Sequence, residues 1–441
     1  MVNMLNKIKA LIVAVIVVAV SVVGAVIYLA GSGHDDDNHD TDAALKVYGN
    51  ANGDHTIDSS DLDLISGIIA GDASFDEHPL ADANYDGAIT QADADLVQKI
   101  MNKENCTVYH INTCTAGDYV ASTKWPVKSA IATGAANGLL FLTMAGVKDM
   151  IHGISYTSTS KPDPTLFPTF SAMPSLSTSS TEMGIEASTP IIKQYKVTAL
   201  ITDKTASTVQ NEQEFENIGV DVIRIAPAMV DPNESRSQLL MIGFLFGTET
   251  QAMQVAEWQT NLQNYIDSKL EGVSKVTAIT SNGNHKDNGA WISAGTSDYK
   301  DVLLAAGAIY GISDDTRPNK FGSGDYFAGG GTWLYNYDFE YLISIRTGGW
   351  YSGTVDATAK YTESMQFLTH TEAYENGKAY VVVGDGPIPI RIAYCAAVMY
   401  PEIFSMHWAN SINQEFFEKY YGEQVDLTGR FFVISPDMVS G

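Results

Sequence analysis

Two stretches of the sequence repeat the same order of oxygen-bearing side chains. The first runs from Asn50 to Asp61 and the second from Asp82 to Asp93. In both, oxygen side chains occupy loop positions 1, 3, 5, 9 and 12, and an isoleucine occupies position 8. Calcium is a hard ion that takes about six to eight oxygen ligands, and this spacing wraps the ligands around one point. The repeat therefore predicts two bound calcium ions.

The predicted calcium ligands are the side chains at these positions, together with the residue at position 7, which would contribute its backbone carbonyl. His55 takes position 6 of the first loop, where the sharp turn favours glycine. A left-handed backbone conformation costs about 1 kcal/mol in a residue other than glycine. We therefore expect the first calcium site to be the weaker one. The ligands are Asn50, Asn52, Asp54, Thr56, Asp58 and Asp61 in the first loop and Asp82, Asn84, Asp86, Ala88, Thr90 and Asp93 in the second.

Each loop is followed by apolar residues at helical spacing, over 62–69 and over 94–101. Paired loops with Asp at position 12 and a helix after each resemble a dockerin domain, and the resemblance covers about residues 45–104. It implies assembly with a cohesin-containing protein through loop positions 10 and 11. Those positions are Ser59, Ser60, Gln91 and Ala92.

An uncharged apolar run extends from Leu11 to Gly31, long enough to cross a bilayer as a helix, for which about 20 residues suffice. Lys7 and Lys9 precede it, and an acidic linker over 34–44 follows it. Because positive residues favour the inner side, the sequence predicts a single-pass protein of the cell membrane, anchored by residues 1–33, with its large domain extracellular. A cleaved secretory signal is the alternative, although its apolar region would span only about 7–15 residues.

The composition limits the partners of the chain. Its 441 residues carry 26 Lys+Arg against 52 Asp+Glu, which gives a net charge of -26. Nucleic-acid binding requires a cationic face, so no nucleic-acid role is expected. The length and the 45% hydrophobic content predict two or three domains with packed cores.

Three cysteines occur, and no pair has CxxC spacing, so neither a structural zinc site nor a redox motif is indicated. Cys106 and Cys114 are close in sequence within the part predicted to be exported, where a disulfide could close a short loop. Two free thiols, or a pairing with Cys395, remain open alternatives.

Residues 105–441 alternate short apolar strands with helical stretches, which is typical of an α/β domain. A helical stretch from about Glu234 to Leu270, interrupted near 246–247, divides this part in two. The pattern predicts a Rossmann-like N-lobe over about 105–233, a long linking helix over 234–270 and a Rossmann-like C-lobe over 271–441. Strands are predicted at 128–133, 151–154, 198–202, 220–225, 276–279 and 379–383.

This order of lobe, helix and lobe resembles the helical-linker class of substrate-binding proteins, which serve ABC importers of iron-siderophores, haem and cobalamin. The resemblance covers 125–441 and rests on the order and spacing of several segments. It implies a protein that binds a metal chelate or another small ligand and delivers it to an ABC permease. The segments are Trp125–Lys128, Leu139–Asp149, Leu239–Gly243, Asn376–Val381 and Ala396–Phe404.

In this class the ligand lies in the cleft between the lobes, where loops follow the carboxyl ends of strands. An arginine there can fork onto a carboxylate or an anionic chelate, and aromatic rings can cover a flat apolar face. Core packing is the alternative for each aromatic residue, and a surface salt bridge is the alternative for the arginine. The candidate contacts are Thr133, Gly134, Tyr156, Trp291, Tyr326, Trp333, Arg346, Trp350 and Tyr351.

No catalytic motif stands out in the sequence. It has neither an HExxH pair, a Cys/His cluster, a GxSxG elbow nor a GxxxxGK phosphate loop. We therefore expect a binding protein and no enzymatic activity. The alternative is a carbohydrate-active enzyme or a cell-wall adhesion protein of an extracellular complex, because dockerins often accompany such proteins.

Overall fold

The computed structural model describes residues 43–439 with short internal gaps, and residues 43–441 form one compact unit. The predicted membrane segment and most of the acidic linker lie outside the described residues. The gaps are 135, 157–160, 178–182, 206–208, 210, 228–231, 285–288, 294–297, 313–323, 327–333, 335–336 and 423–424.

Two helices follow the repeated loops, as predicted, and form the N-terminal module (residues 45–104). Helix α1 spans Ser59–Ala70 and helix α2 spans Gln91–Met101. Each begins with a capping box, in which the last carboxylate of the loop bonds back to the N-cap residue. Apolar side chains of both helices, including Ile65 and Val97, are buried in the module. Two short 3₁₀ turns, Phe75–Glu77 and Pro79–Ala81, connect them.

An antiparallel hairpin of strands β1 (Cys106–Asn112) and β2 (Tyr119–Trp125) follows the module. Because β1 is extended, with a rise of about 3.3 Å per residue, the Cα atoms of Cys106 and Asn112 lie roughly 20 Å apart, and the two residues that follow can bring Cys114 back by at most about 8 Å. A disulfide needs Cα atoms within about 7 Å. The disulfide that the sequence left open is therefore not formed, and Cys106, Cys114 and Cys395 are free thiols.

The N-lobe contains a four-stranded parallel sheet with the order β4-β3-β5-β6. Its strands confirm the four predicted there. Buried side chains such as Ile131, Leu200 and Phe215 form its core. The strands are β3 (Ala130–Thr133), β4 (Ile151–Ser155), β5 (Ala199–Asp203) and β6 (Asp221–Ile225), and the helices are α3 (Ala136–Met144), α4 (Pro168–Ser171), α5 (Ile185–Tyr195) and α6 (Glu212–Asn217).

Two helices link the lobes, where the sequence predicted one long helix with an interruption. Helix α7 spans Pro232–Phe246 and helix α8 spans Glu249–Leu270. Between them Gly247 has a φ of 71°, in the left-handed region that glycine adopts most readily. The N–H of Thr248 donates to the Gly243 carbonyl at 2.8 Å and closes the end of α7. The predicted break is thus confirmed, and it separates two distinct helices.

The C-lobe sheet has the order β10-β8-β7-β11-β12-β13, and β9 also pairs with β7. Strands β7, β11 and β12 are parallel, whereas β8, β10 and β13 add to the sheet in antiparallel orientation. The strands are β7 (Thr277–Asn284), β8 (Ala290–Ser293), β9 (Ile309–Tyr310), β10 (Gly324–Tyr326), β11 (Tyr341–Arg346), β12 (Ala379–Val383) and β13 (Val433–Ile434), and the helices are α9 (Asp298–Ala305), α10 (Ala357–Met365), α11 (Glu372–Glu375), α12 (Ile388–Met399), α13 (Met406–Glu415) and a π-helical turn (Phe416–Tyr420).

The predicted location in the cell membrane requires correction. Among the described residues, no helix combines the length and the apolar character that a membrane span needs. Helix α8 is long enough at 22 residues, but Glu249, Glu257 and Asp267 make it too polar. The apolar run over 11–31 lies outside the described residues, and we withdraw the prediction of a membrane location.

His110 lies where the N-terminal module meets the hairpin, and its side chain is buried. His110 lies on β1, where it forms a bridge with Val47, and its Nε2 is 2.8 Å from Oγ1 of Thr123. The structure gives its Nδ1 no hydrogen-bond partner. Burial lowers the pKa of His110 from 6.5 to about 4. The folded chain therefore resists protonation of this ring.

We expect His110 to make the folded state less stable as the pH falls from about 6.5 to 4. In this window the unfolded chain binds a proton that the folded chain excludes, and at pH 5 the loss is about 2 kcal/mol relative to pH 8. His110→Gln keeps a polar group near Thr123 but does not titrate. Urea unfolding at several pH values, at constant calcium, should show a flatter profile for the variant. Equal pH dependence in both proteins would contradict the assignment.

Candidate functional site

The two lobes meet where the central strands of their sheets end. Helix α3 begins just after the carboxyl end of β3, and α12 begins just after the carboxyl end of β12. Side chains of both helices, including Phe141 and Arg391, line a cavity of about 20 Å³ together with Gln259 of α8. Open α/β sheets bind ligands beyond the carboxyl ends of their strands. The cavity itself has room for about one water molecule, so the candidate ligand site is this edge of the two sheets and not the cavity.

On the N-lobe side, three predicted contact residues lie together. Thr133 ends β3 and pairs in register with Ser155 of β4, which precedes Tyr156. The Gly134 N–H donates to Oγ of Ser155 at 3.3 Å, and Tyr156 Oη donates to the Met173 carbonyl at 3.0 Å. A Cβ at Gly134 would overlap the carbonyl oxygen of Ser155. Only glycine fits at this edge of the sheet.

On the C-lobe side, Arg346 ends β11 and a tight turn follows it. Gly348 and Gly349 have φ values of 94° and 87°, so both positions favour glycine. The carboxylate of Asp385, just beyond β12, accepts the N–H groups of Gly348 at 2.6 Å and Trp350 at 3.3 Å. The turn is therefore held against the end of the neighbouring strand.

Arg346 is only partly neutralised. Its Nη2 pairs with Oε1 of Glu363 at 2.7 Å, while its Nη1 is buried without a hydrogen-bond partner in the structure. Lys360 donates to the carbonyls of Thr347 and Gly348, at 2.8 and 3.1 Å. Burial, and then the charge of Arg346, lower the pKa of Lys360, and burial raises the pKa of Asp385. This cluster can donate to an anionic group.

The two aromatic side chains after the turn are core residues. Trp350 and Tyr351 are each 1% exposed. The Trp350 indole donates to the Arg346 carbonyl at 2.6 Å, and Tyr351 packs between Phe417 and Phe432. Neither ring offers a face to a ligand. For both residues the alternative interpretation, core packing, is the one that the structure supports. Their side chains support the turn.

Two of the remaining candidates, Trp291 and Tyr326, lie on the antiparallel edge of the C-lobe sheet. Trp291 is half-buried on β8 and pairs in register with Tyr326 of β10. The side chain of Tyr326 and the whole of Trp333 lie outside the described residues. Their role in ligand binding stays a prediction.

The structure adds Asp385, Lys360 and Glu363 to the site, which the sequence reading missed. Asp385 lies in the run Gly384-Asp385-Gly386 directly after an apolar strand. A polar residue between glycines at a strand end is a signal that could have revealed it. Lys360 and Glu363 lie on α10, and nothing in their local sequence connects them with Arg346.

In the N-terminal module, both repeated loops close around a buried carboxylate. Asp61 and Asp93 are fully buried at loop position 12. Asp61 accepts the N–H groups of Asn52 and Asp58 at 3.1 and 2.9 Å. Asp93 makes the matching pair of bonds in the second loop, at 3.1 and 2.8 Å. The two loops thus share one bonding pattern.

The loops differ at positions 1, 4 and 6. Asp82 accepts the N–H groups of Asp86 and Gly87, whereas the Asn50 Oδ1 is buried and has no hydrogen-bond partner in the structure. The strain expected at His55 is absent, because its φ is not positive. Tyr85, at position 4 of the second loop, has a φ of 55° instead. The reason for expecting a weaker first site was therefore wrong.

The first loop contains two oxygen groups that a cation would stabilise. Burial raises the pKa of Asp61 to about 6, so a nearby cation would stabilise its carboxylate. The unpaired Asn50 oxygen is a second atom that lacks a positive partner. Among the described residues no group of three or more His, Cys, Asp or Glu side chains is arranged to hold a metal. The loop ligands instead mix carboxylates with amide, hydroxyl and backbone oxygens.

Comparison with known proteins identifies the fold. No protein family and no curated protein matches this sequence. The structure is similar to a TroA-like periplasmic binding protein, FepB from Veillonella parvula, at 15% identity and a TM-score of 0.53, covering 74% of this chain and 99% of that one. An ABC transporter solute-binding protein from Sulfurospirillum deleyianum matches at 13% identity and a TM-score of 0.52, covering 70% and 94%. The chain therefore has the mixed α/β fold of TroA-like binding proteins.

We expect Gly134→Ala to destabilise the N-lobe by about 1–3 kcal/mol, because its Cβ would force β3 and β4 apart. Gly138→Ala is the matched control, since an added Cβ there meets only Thr133 O at 3.9 Å. In helix α3 that control should stabilise the protein by about 0.5–1 kcal/mol. Thermal unfolding would measure both changes. A Gly134→Ala protein as stable as the wild type would show that the strand ends are not packed this closely.

Proposed function

We propose that this protein is a solute-binding protein that captures a small ligand between its two lobes and delivers it to an ABC permease. The observation that carries the proposal is the junction of the lobes beyond the carboxyl ends of β3 and β12. Arg346 ends β11 in register with Val383, the last residue of β12, so it lies at the same edge of the C-lobe sheet. The similarity to TroA-like binding proteins supports the same function. The chemistry of this edge suits binding, and we assign it no catalytic role.

For the ligand we propose an anionic metal chelate, such as an iron-siderophore, with haem and cobalamin as further members of the class. A guanidinium forks onto carboxylate or catecholate oxygens, and it stays charged at any physiological pH. Lys360 adds a second positive charge close to Arg346. Because Trp350 and Tyr351 are buried, charge rather than ring stacking should dominate recognition on this side of the cleft.

We expect Arg346→Ala to weaken binding of an anionic chelate by roughly tenfold to a hundredfold, or about 1.4–2.8 kcal/mol. Isothermal titration calorimetry with a ferric catecholate siderophore, haemin and cyanocobalamin would identify the ligand and measure the loss. Lys378→Ala is the control, because Lys378 precedes the amino end of β12 and pairs with Glu340 at 3.3 Å. It removes one charge from the opposite edge of the same sheet.

Two results would count against this proposal. If the wild-type chain binds none of the three probes, the ligand class is wrong. If Arg346→Ala and Lys378→Ala weaken binding equally, long-range charge rather than a contact in the cleft is responsible.

We also propose that each repeated loop binds one calcium ion and that the N-terminal module is a dockerin. The buried carboxylates Asp61 and Asp93 and the unpaired Asn50 oxygen support calcium binding. The residues at positions 10 and 11 of both loops are exposed, as contact with a cohesin-containing partner would require. Bound calcium would neutralise the acidic side chains of each loop.

We expect calorimetry to find two calcium ions per chain in the wild type and one in Asp54→Ala or Asp86→Ala. Each substitution removes one carboxylate at position 5 of one loop. Asp63→Ala should still bind two ions, because Asp63 is an exposed acidic residue of α1 outside the loop. Chelation should also lower the melting temperature of the wild type, since calcium binds the folded state. Wild-type stoichiometry in both loop variants would exclude these loops as the sites.

A further inference from the structure

A second polar cavity lies at the opposite edge of the N-lobe sheet from the ligand cleft. It has a volume of about 450 Å³. Its wall includes residues that immediately precede β3 and β5, together with the start of β1 and the end of β2. The cleft, in contrast, adjoins the carboxyl ends of β3 and β5. The cavity is therefore separate from the site proposed for the transported ligand.

The charge of this cavity is opposite to that of the chain. Lys124, Lys128 and Lys196 line it, and no acidic side chain does. Over the whole chain, acidic residues outnumber basic ones by 52 to 26. The lining of this cavity is therefore positively charged, although the chain as a whole carries a negative net charge.

The lysine side chains are available for a ligand. All three are exposed, and within the described part of the chain none forms an ion pair. Lys124 Nζ donates only to the carbonyl of Gly219, at 3.3 Å. The nearby carboxylate of Asp221 accepts the backbone N–H of Lys124 at 2.9 Å. Asp221 is therefore a negative group near Lys124, but it forms no ion pair with the lysine ammonium groups.

The backbone at Lys196 is also unusual. This residue caps the carboxyl end of α5 with a φ of 52°. Glycine or asparagine adopts this conformation at lower cost, by about 1 kcal/mol for glycine. The backbone conformation at this position does not favour lysine over glycine or asparagine. The positive charge that Lys196 places beside the cavity is a role that lysine can fill.

We propose that this cavity binds a phosphate group, either as free phosphate or as the phosphodiester of a glycerophosphate headgroup. Lysines bind phosphate as point charges, and neutral donors can complete its coordination. Asn105, Thr107 and Thr198 line the same cavity and supply polar side chains. The volume accommodates a phosphate together with a glycerol unit.

Phosphorus-31 NMR of the full-length protein would test this with two probes, inorganic phosphate and glycerophosphoglycerol. Free calcium should be held in the low micromolar range so that it does not precipitate phosphate. We expect line broadening of at least one probe, weakened by added sodium chloride because exposed charges are screened. Lys128→Ala combined with Lys196→Asn should reduce the affinity at least tenfold, and asparagine keeps the left-handed backbone.

Lys193→Ala is the matched control, since Lys193 is exposed on the same helix α5 but outside the cavity. Broadening of phosphate alone would identify a free oxyanion site, and broadening of the diester would identify a headgroup site. The proposal fails if neither probe binds the wild type. It also fails if the double variant, folded by circular dichroism, binds like the control.

Discussion

The buried indole of Trp125 is the contact on which the arrangement of the chain depends. Its Nε1 donates to the Phe244 carbonyl at 2.8 Å and its ring stacks on Phe244 at 5.3 Å, which ties β2 to α7. Lys103 of the N-terminal module lies over the same ring at 5.7 Å and pairs with Glu249 of α8. The Trp125 side chain, 2% exposed, therefore joins the hairpin to α7 and contacts the module through Lys103, whose ion pair reaches α8.

The two lobes share the same close contact at the end of a parallel strand. In each, a glycine directly follows a parallel strand and packs against the last residue of the neighbouring strand. Gly134 follows β3 and contacts Ser155 of β4, and Gly384 follows β12 and donates to the Arg346 carbonyl of β11 at 2.7 Å. A Cβ at either glycine would collide with that neighbour's backbone. The close approach leaves the first helical turn free to face the other lobe.

Sequence reasoning located the four strands of the N-lobe sheet and the parallel strands β7 and β12, because buried parallel strands appear as short apolar runs between turn residues. It missed β11, so Arg346 was proposed from its glycine-rich turn and not from its position at a strand end. It could not pair Arg346 with Glu363 or connect the turn to Asp385, because those residues come from separate elements that meet only after folding. Trp350 shows the limit most clearly. An indole after two glycines can cover a ligand or anchor a turn, and only its tertiary neighbours decide between these roles.

A strongly acidic surface is compatible with the anion binding that we propose. Exposed charges act over a Debye length of only about 8 Å at physiological ionic strength, so the net charge of -26 is largely screened at any one site. What decides binding is the balance of charges within that distance. Around Arg346, two positive groups, Arg346 and Lys360, lie close to two carboxylates, Glu363 and Asp385, whereas the cavity around Lys128 and Lys196 has no acidic lining residue. At both proposed sites, recognition of an anion would therefore depend on local contacts, while the remaining acidic surface keeps the chain well solvated.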